Sequence, residues 1–349
     1  MEAKVAVVYQ AASPPVRNGI IKPMKPGGYS DSGADIAYTL QRCGVSIVLP
    51  LSDPSIENDP GWVFPDTKDG IQEAINKGAD TIWLNTVLYT GHPIEAFIKK
   101  GIYVVGQIPA NVDRFDDKLV TNELLRDHEL PIPRSVTIDS RNAAGYKPGF
   151  PFPVVAKPIR GRGSQGVTVV KNETELSKTL AEMLSSNDYG AAVYVEEFLS
   201  GEELTITVMP PGEYSINNHA VIKDNYWSLP PVKRFNHQEG IAPYNGTVAV
   251  VNNSAVLTPL ELLNPDIAQL CHACEKAASL VGAKAAIRID CRADAAGKYF
   301  LFDLNMKPNM TGASRPHRGD QDSLTTMAAR SIGWTFNDLL LNLLRQRWR

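Results

Sequence analysis

Hydrophobic positions in the first hundred residues follow two alternating rhythms. The apolar runs 4-KVAVVY-9, 45-VSIVLPL-51, 81-TIWLNT-86 and 102-IYVVG-106 read as buried strands. Between them, 32-SGADIAYTLQRCG-44 (closed by Gly44), 67-TKDGIQEAINKGA-79 and 93-PIEAFIKKG-101 repeat apolar residues at helical spacing. Strands alternating with helices predict an α/β chain that begins with a parallel sheet covered by helices, a Rossmann-like domain over 1–109.

The rhythm changes after Pro109. A helix at 116–128 leads to the strand 131-PIPRSVTI-138, and the Pro/Gly-rich 145-GYKPGFPFP-153 connects it to two further β-rich runs. The segment 172-NETELSKTLAEMLSS-186 is a helix with Asn172 placed to cap it, and 192-AVYVEEFLSGEELTITVM-209 reads as two strands around a Ser-Gly turn. These define a central subdomain over 110–197 and a C-terminal one over 198–349. The stretch 210–259 has little periodicity and is expected to be a long loop acting as a lid. A helix over 266–283, a hairpin over 284–306 and a last helical region ending at 336-FNDLLLNLLRQRW-348 complete the chain.

Composition narrows the function. At 349 residues, 43% hydrophobic and 21% charged, the sequence describes a soluble globular protein of more than one domain. A net charge of −3 argues against a nucleic-acid partner. The apolar run Val5–Tyr9 is too short for a signal peptide or a membrane span, so a cytoplasmic location and no membrane partner are expected. The cysteines of 271-CHAC-274 lie in a helical pattern without a second C-x-x-C, which favours buried helix thiols over a zinc site.

The stretch 154-VVAKPIRGRGSQGVTVV-170 contains G-x-G-x-x-G spacing at Gly161, Gly163 and Gly166. A dinucleotide site needs a helix after such glycines, because the helix N-terminus holds the pyrophosphate. Here β-branched residues follow, so the motif is a glycine-rich loop joining two antiparallel strands. Such a loop can wrap phosphates with its backbone N–H groups, with Lys157 as a point-charge partner, and it can equally be a plain surface hairpin.

A second constellation carries more weight. In 286-AIRIDCRADAAGKYFLFDLNMKP-308, a tight turn centred at Ala296–Gly297 sets Asp290 against Asp303 and Arg288 against Asn305. Side chains Ile287, Ile289 and Cys291 then take the opposite, apolar face, together with Phe302 and Leu304. Directly opposed carboxylates repel unless something neutralises them. Oxygen ligands with neither His nor Cys suit Mg²⁺ shared with substrate phosphates, and an adjacent arginine suits charge developing in a transfer reaction.

Taken together, these segments resemble the ATP-grasp superfamily, and within it the D-alanine–D-alanine ligases. The resemblance runs from about Asp113 to the C-terminus, through Asp117-Lys118 with Thr121, 153-PVVAKPIRGRGSQGV-167, 195-VEEFLSGEELTI-206, 286-AIRIDCRAD-294, 302-FDLNMKPNMT-311 and 327-MAARSIGWTFNDLL-340. It implies an ATP-dependent, ADP-forming carbon–nitrogen ligase. ATP would be held by Lys118, Lys157 and the loop residues Gly163 and Ser164, with Glu196, Glu197, Phe198 and Leu199 as the adenine hinge and Glu203 at the ribose. Asp290, Asp303 and Asn305 match a site for two Mg²⁺ ions, or Mn²⁺ in their place. Arg288, Lys157 and Ser164 would act on the transferred phosphoryl group, and Lys233 would belong to the mobile lid. A homodimer is expected.

Departures from the family bear on the substrate. The bridging carboxylate is Asp303 where the family has Glu, and 306-MKPNMT-311 stands where the family has T-S-P-G-M-T. The acidic, serine-containing segment that grips the first D-alanine is missing; 11-AASPPVRNGIIKPMKPGGYSDSG-33 replaces it. Ligands of open α/β sheets bind beyond the carboxyl ends of strands, which makes Arg17, Lys22, Tyr29, Ser30 and Asp31 candidates for the first substrate. If these residues contact it, the first substrate is acidic and larger than alanine; ordinary solvation of the basic residues is the alternative. Ser314 and Arg315 are candidates for the amino acid's carboxylate. Within the family's range, ligation of an amino acid to mycosporine-glycine fits such a substrate, and a dipeptide ligase or a silent nucleotide-binding module are the competing readings.

Overall fold

The computed structural model describes residues 3–349 apart from 18, 21, 23, 162–164, 187 and 242–248. Strand β1 (Lys4–Tyr9) carries four consecutive buried residues, Val5–Val8, as a parallel strand covered on both faces must. It pairs in parallel with β2 (Ser46–Ile47), β3 (Phe64–Pro65) and β4 (Thr81–Asn85), and β4 pairs with β5 (Tyr103–Val105). Helices α1 (Ser30–Arg42), α2 (Lys68–Asn76) and α3 (Ile94–Ile98) connect the strands. The Thr67 side chain caps α2, and Gly44 follows α1 at φ 82°.

A short helix, α4 (Pro109–Phe115), precedes α5 (Lys118–Asp127), whose N-cap Asp117 accepts from two backbone N–H groups. Next comes a four-stranded antiparallel sheet of β6 (Ser135–Asp139), β7 (Val154–Pro158), β8 (Thr168–Val170) and β9 (Ala192–Glu197), in the order β6-β9-β7-β8. Helix α6 (Glu173–Ser185) covers it, and the Asn172 side chain accepts from the Glu175 N–H at 2.9 Å. The glycine motif therefore joins β7 to β8 antiparallel, and no helix follows Gly166.

The next sheet is built on β10 (Glu203–Met209). The expected loop over 210–259 contains five short strands among its described residues. These are the hairpin β11 (Gly212–Ile216) and β12 (His219–Lys223), then β13 (Trp227–Ser228), β14 (Val232–Arg234) and β15 (Ser254–Val256). The hairpin turns on Asn217 and Asn218, both left-handed at φ 51° and 63°, as a two-residue turn requires. Helix α7 (Pro265–Leu280) packs under the hairpin β16 (Ile287–Ala293) and β17 (Tyr299–Asn305), and α8 (Leu324–Ser331) and α9 (Phe336–Arg345) follow. The sheet order is β15-β14-β10-β16-β17, with β13 also on β10.

Strand β16 shows why the hairpin presents a polar face. Ile287, Ile289 and Cys291 are buried in one cluster with Leu270, Cys274 and Ala277 of α7. Period-two alternation then sends Arg288 and Asp290 to the other side. Cys274 and Cys291 meet on the apolar side with their sulfurs 3.6 Å apart, so these thiols belong to the core. No helix among the described residues is long and apolar enough to cross a membrane.

Candidate active site

A cavity of about 430 Å³ lies between the β6–β9 sheet and the β10–β16–β17 sheet, open toward the residues that follow β1. Its apolar walls include Val155, Val169, Phe198, Leu199, Phe302 and Leu304. Lys118, Lys157, Glu196, Glu197, Glu203, Arg288, Asp290, Asp303 and Asn305 also line it.

The hairpin register follows the sequence expectation. Asp290 pairs with Asp303 and Arg288 with Asn305. A bulge after Asp290 then pairs Cys291 with Leu301 and leaves Phe302 over. Phe302, expected on the apolar back, therefore lines the cavity, and its ring lies 5.8 Å from the Lys157 ammonium.

Each carboxylate is matched by a cation. Arg288 donates Nε to one oxygen of Asp290 and Nη2 to the other, at 3.1 and 3.0 Å, and Thr205 Oγ1 adds a bond of 2.8 Å. Lys118 Nζ sits 3.2 Å from Asp303 Oδ1. Burial would raise the Asp303 carboxyl, but Lys118, Lys157 and Arg288 hold it below the usual range. Burial opposes the charge on Lys118 in turn, and Asp303 and Asp116 keep its pKa above the ordinary value. The Asn305 Oδ1 accepts the Lys307 N–H at 3.0 Å, which fixes the amide's orientation.

Lys157 is 3% exposed; it donates to Glu196 Oε1 at 2.5 Å and to the Phe302 carbonyl at 3.2 Å. Burial pushes Glu196 up, more than Lys157 and Lys118 pull it down. Its second oxygen, Oε2, is buried with no hydrogen-bond partner among the described residues. Glu197 is forked by Arg134 at 2.9 and 3.0 Å. Glu203 accepts from His237 at 2.8 Å. Gly163 and Ser164 lie outside the described residues.

Several expected residues do not reach the cavity. Lys233 is on the opposite face of β14, bound by Glu202 and by Glu261 at 3.2 Å. Its neighbour Arg234 opposes Glu203 and lines the cavity instead, its pKa lowered chiefly by burial. Arg17 turns away to Asp113 at 2.9 Å. Ser30 is buried at the start of α1. Ser314 donates to Asp35 at 2.7 Å. Arg315 is wholly buried, held by Asp35 at 2.8 Å, Asp59 at 2.6 Å and two backbone carbonyls. Neither Ser314 nor Arg315 is placed to receive a substrate carboxylate; both tie the segment after β17 to α1.

Lys22, Tyr29 and Asp31 do line the cavity, with Lys25, Lys307, Asn309 and Arg318 beside them. Tyr29 adopts a left-handed φ of 68° after Gly27 and Gly28 at 74° and 56°. A Cβ on Gly28 would stand 1.8 Å from the Gln10 carbonyl oxygen, so only glycine lets the loop close against β1 in this way. Lys25 and Arg318 hold Asp31 at 2.8 and 3.4 Å. Arg234 faces the cavity because it pairs with Glu203 from β14, a strand that the sequence, read as a loop there, did not show. Arg318, 13 residues beyond Asn305 in an irregular segment, had no local signal.

Comparison with known proteins agrees with this geometry. The family described as D-ala D-ala ligase C-terminus matches residues 133–345. The chain belongs to this family. Membership makes it an ATP-dependent, ADP-forming carbon–nitrogen ligase of the ATP-grasp fold. It is 24% identical over 230 residues to a D-alanine–D-alanine ligase of Francisella tularensis subsp. novicida, covering 66% of this chain and 67% of that one. It is 25% identical over 229 residues to that of Chromohalobacter salexigens, covering 65% and 64%. The chain thus spans about two thirds of the length of these ligases. Among solved structures, the D-alanine–D-alanine ligase of Bacillus anthracis complexed with ATP superposes with a TM-score of 0.64 at 17% identity, covering 99% of this chain and 96% of the other. The VanG D-Ala:D-Ser ligase of Enterococcus faecalis gives 0.67 at 16% identity, covering 99% of each.

Proposed function

We propose that this ligase phosphorylates an oxygen of an acceptor other than D-alanine and joins that acceptor to the amine of an amino acid. The observation that carries the reading is the register of β16 and β17, which sets Asp290 against Asp303 in the cavity that Lys157 and the glycine hairpin also line.

ATP would lie with its base among Val155, Val169, Phe198 and Leu199. The unpartnered Glu196 Oε2 offers an acceptor to the base's amino group. Glu203 would take the ribose hydroxyls. Lys118, Lys157 and Arg288 would face the triphosphate, and Arg234 joins them on the same face. The opposed carboxylates and the amide oxygen of Asn305 form an all-oxygen donor set that fits Mg²⁺. Two such ions held by Asp290, Asp303 and Asn305 would supply charge neutralisation at the transferring phosphoryl group. Cationic and acidic side chains line the described cavity in near-equal number, so the triphosphate's charge has to be met by cations that arrive with it.

The acceptor oxygen attacks the γ-phosphorus and ADP leaves; the amine then attacks the activated carbon, and phosphate departs with that oxygen. Arg288, fixed by both oxygens of Asp290, stands where negative charge develops. The chain's contribution is chiefly positioning and charge, as in phosphoryl transfer generally.

The acceptor's identity rests on the charged groups at that end of the cavity, Lys22, Lys25, Lys307 and Arg318 with Asp31 and Asp116 beside them, more than a small zwitterion calls for. Mycosporine-glycine, activated at its enaminone oxygen, is the acceptor we favour. The names of the relatives favour D-alanine, and a phosphate-release screen decides between them. Pairing mycosporine-glycine or D-alanine with single amino acids should release phosphate only when both partners and ATP are present. Release that needs no amine would contradict the ligation step, and turnover confined to D-alanine would contradict the acceptor.

A further inference from the structure

The basic residue just before Gly161 does not line the nucleotide cavity. Arg160 stands two residues after β7, and its guanidinium turns to the junction of α4 and α5, where it lines a separate small cleft. Its side chain is 13% exposed there. It donates Nη2 to the Asp113 carbonyl at 2.9 Å and Nη1 to Asp113 Oδ1 at 3.3 Å, and lies 3.9 Å from Asp116 and 3.5 Å from Asp117. Beside it the Lys118 N–H donates to the Ile159 carbonyl at 3.1 Å, so the same junction is tied to the hairpin's root twice. Lys118 is also the residue that meets Asp303.

The acids of this junction serve the N-terminal loop as well. Arg17 reaches Asp113 at 2.9 Å, the Thr90 N–H donates to the same carboxylate at 3.2 Å, and Lys22 pairs with Asp116. Burial would raise the Asp113 carboxyl, but Arg17 and Thr90 hold it below the usual range. Asp113, Asp116 and Asp117 thus meet Arg17 and Lys22 from the N-terminal loop and Arg160 from the glycine hairpin. Arg17 lines the small cleft and not the nucleotide cavity.

We propose that Arg160 is a positioning residue that couples the nucleotide site to the N-terminal loop through Asp113 and Asp116. This rests on reading the large cavity as the nucleotide site, and it adds a link from there to the loop that walls the acceptor end. A nucleotide that orders the hairpin's root and Lys118 sets the two aspartates in place, so Arg17 and Lys22 meet partners already fixed. Ordering one side of a shared clamp lowers the cost of ordering the other. The coupling is reciprocal, so losing Arg17 weakens nucleotide binding from outside the cavity. Lysine at 160 would keep the charge without the fork that spans a carbonyl and a carboxylate.

The test measures binding of ADP with Mg²⁺ by calorimetry for wild type, Arg17→Met, Arg160→Met, Arg160→Lys and the double variant Arg17→Met/Arg160→Met. Amide exchange of the segment holding Arg17 and Lys22 is followed with and without ADP and Mg²⁺. Arg160→Met should weaken nucleotide binding about tenfold and Arg17→Met about threefold, and the double variant should be no weaker than Arg160→Met. Nucleotide should slow exchange of that segment in wild type and in neither Arg160 variant; Arg160→Lys carries this comparison if Arg160→Met does not fold. A purely structural Arg160 would speed exchange equally with and without nucleotide. The inference is overturned by unchanged affinity in Arg17→Met, by a double variant as weak as the two single effects multiplied, or by an exchange response that survives in Arg160→Lys. Wild type that binds no ADP would instead overturn the nucleotide reading, and the inference with it.

Discussion

Asp290 and Asp303 stand directly across the β16–β17 ladder, and each has its own protein cation, Arg288 on the first and Lys118 on the second. Like charges in this relationship destabilise a hairpin unless they are neutralised. Two basic residues from separate elements meet that need. If Asp303 holds metal as proposed, replacing it with Ala should lower kcat/KM by about a thousandfold or more. Asp303→Glu restores the carboxylate one methylene longer and should stay within about tenfold of wild type. Steady-state ADP release at saturating Mg²⁺ reads both.

Lys157 and Glu196 form a buried pair, 2.5 Å apart, in the wall of the cavity. Removing one partner strands the other's charge in a poorly solvated place. Lys157→Met should destabilise the protein by about 3–5 kcal/mol, and the double variant Lys157→Met/Glu196→Gln should recover most of that loss while remaining inactive. Urea unfolding of the two single variants and the double variant measures the coupling.

Lys233 offers a contrast. It serves Glu202 and Glu261 outside the cavity, so Lys233→Met should leave the KM for ATP within about twofold of wild type. Its effect should appear in acid. The Thr258 backbone and hydroxyl, with Lys233, hold the Glu261 carboxyl down at about 2. A carboxyl depressed on folding stabilises above its ordinary pKa, and that contribution fades as the pH falls from there toward the folded value. Without Lys233 the loss should begin at the same ordinary pKa but be smaller and be complete at a higher pH, visible as a shallower acid limb in urea midpoints measured across pH 2–7.

Arg315 should behave as a structural residue. It is wholly buried on Asp35 and Asp59, and Arg315→Ala leaves the Asp35 carboxylate buried with Arg318 as its remaining arginine. A loss of about 3–5 kcal/mol in unfolding free energy is expected. The KM for the amino acid in the protein that stays folded should not change.

The sequence made the pairing of Asp290 with Asp303 legible because strand alternation and one glycine turn leave little freedom of register. Asn172 and the antiparallel glycine loop show the same point: local spacing decides them. What escaped depended on contacts between distant residues. Arg17 finds Asp113 and Arg315 finds Asp35, and nothing near any of the four announces the pairing. Phe302 escaped because a bulge shifts register by one residue without a marker such as glycine. The hairpin at Asn217–Asn218 escaped because an Asn-Asn pair is a weaker turn signal than Asn-Gly, although both residues tolerate the left-handed region.

The most direct test is to titrate Mn²⁺ into wild type and Asp303→Asn in the presence of ADP, following free Mn²⁺ by electron paramagnetic resonance. Wild type should sequester metal together with nucleotide at these oxygen donors, and Asp303→Asn should lose at least one ion per chain while keeping its fold. Equal uptake by both proteins would mean that the opposed aspartates do not hold the metal.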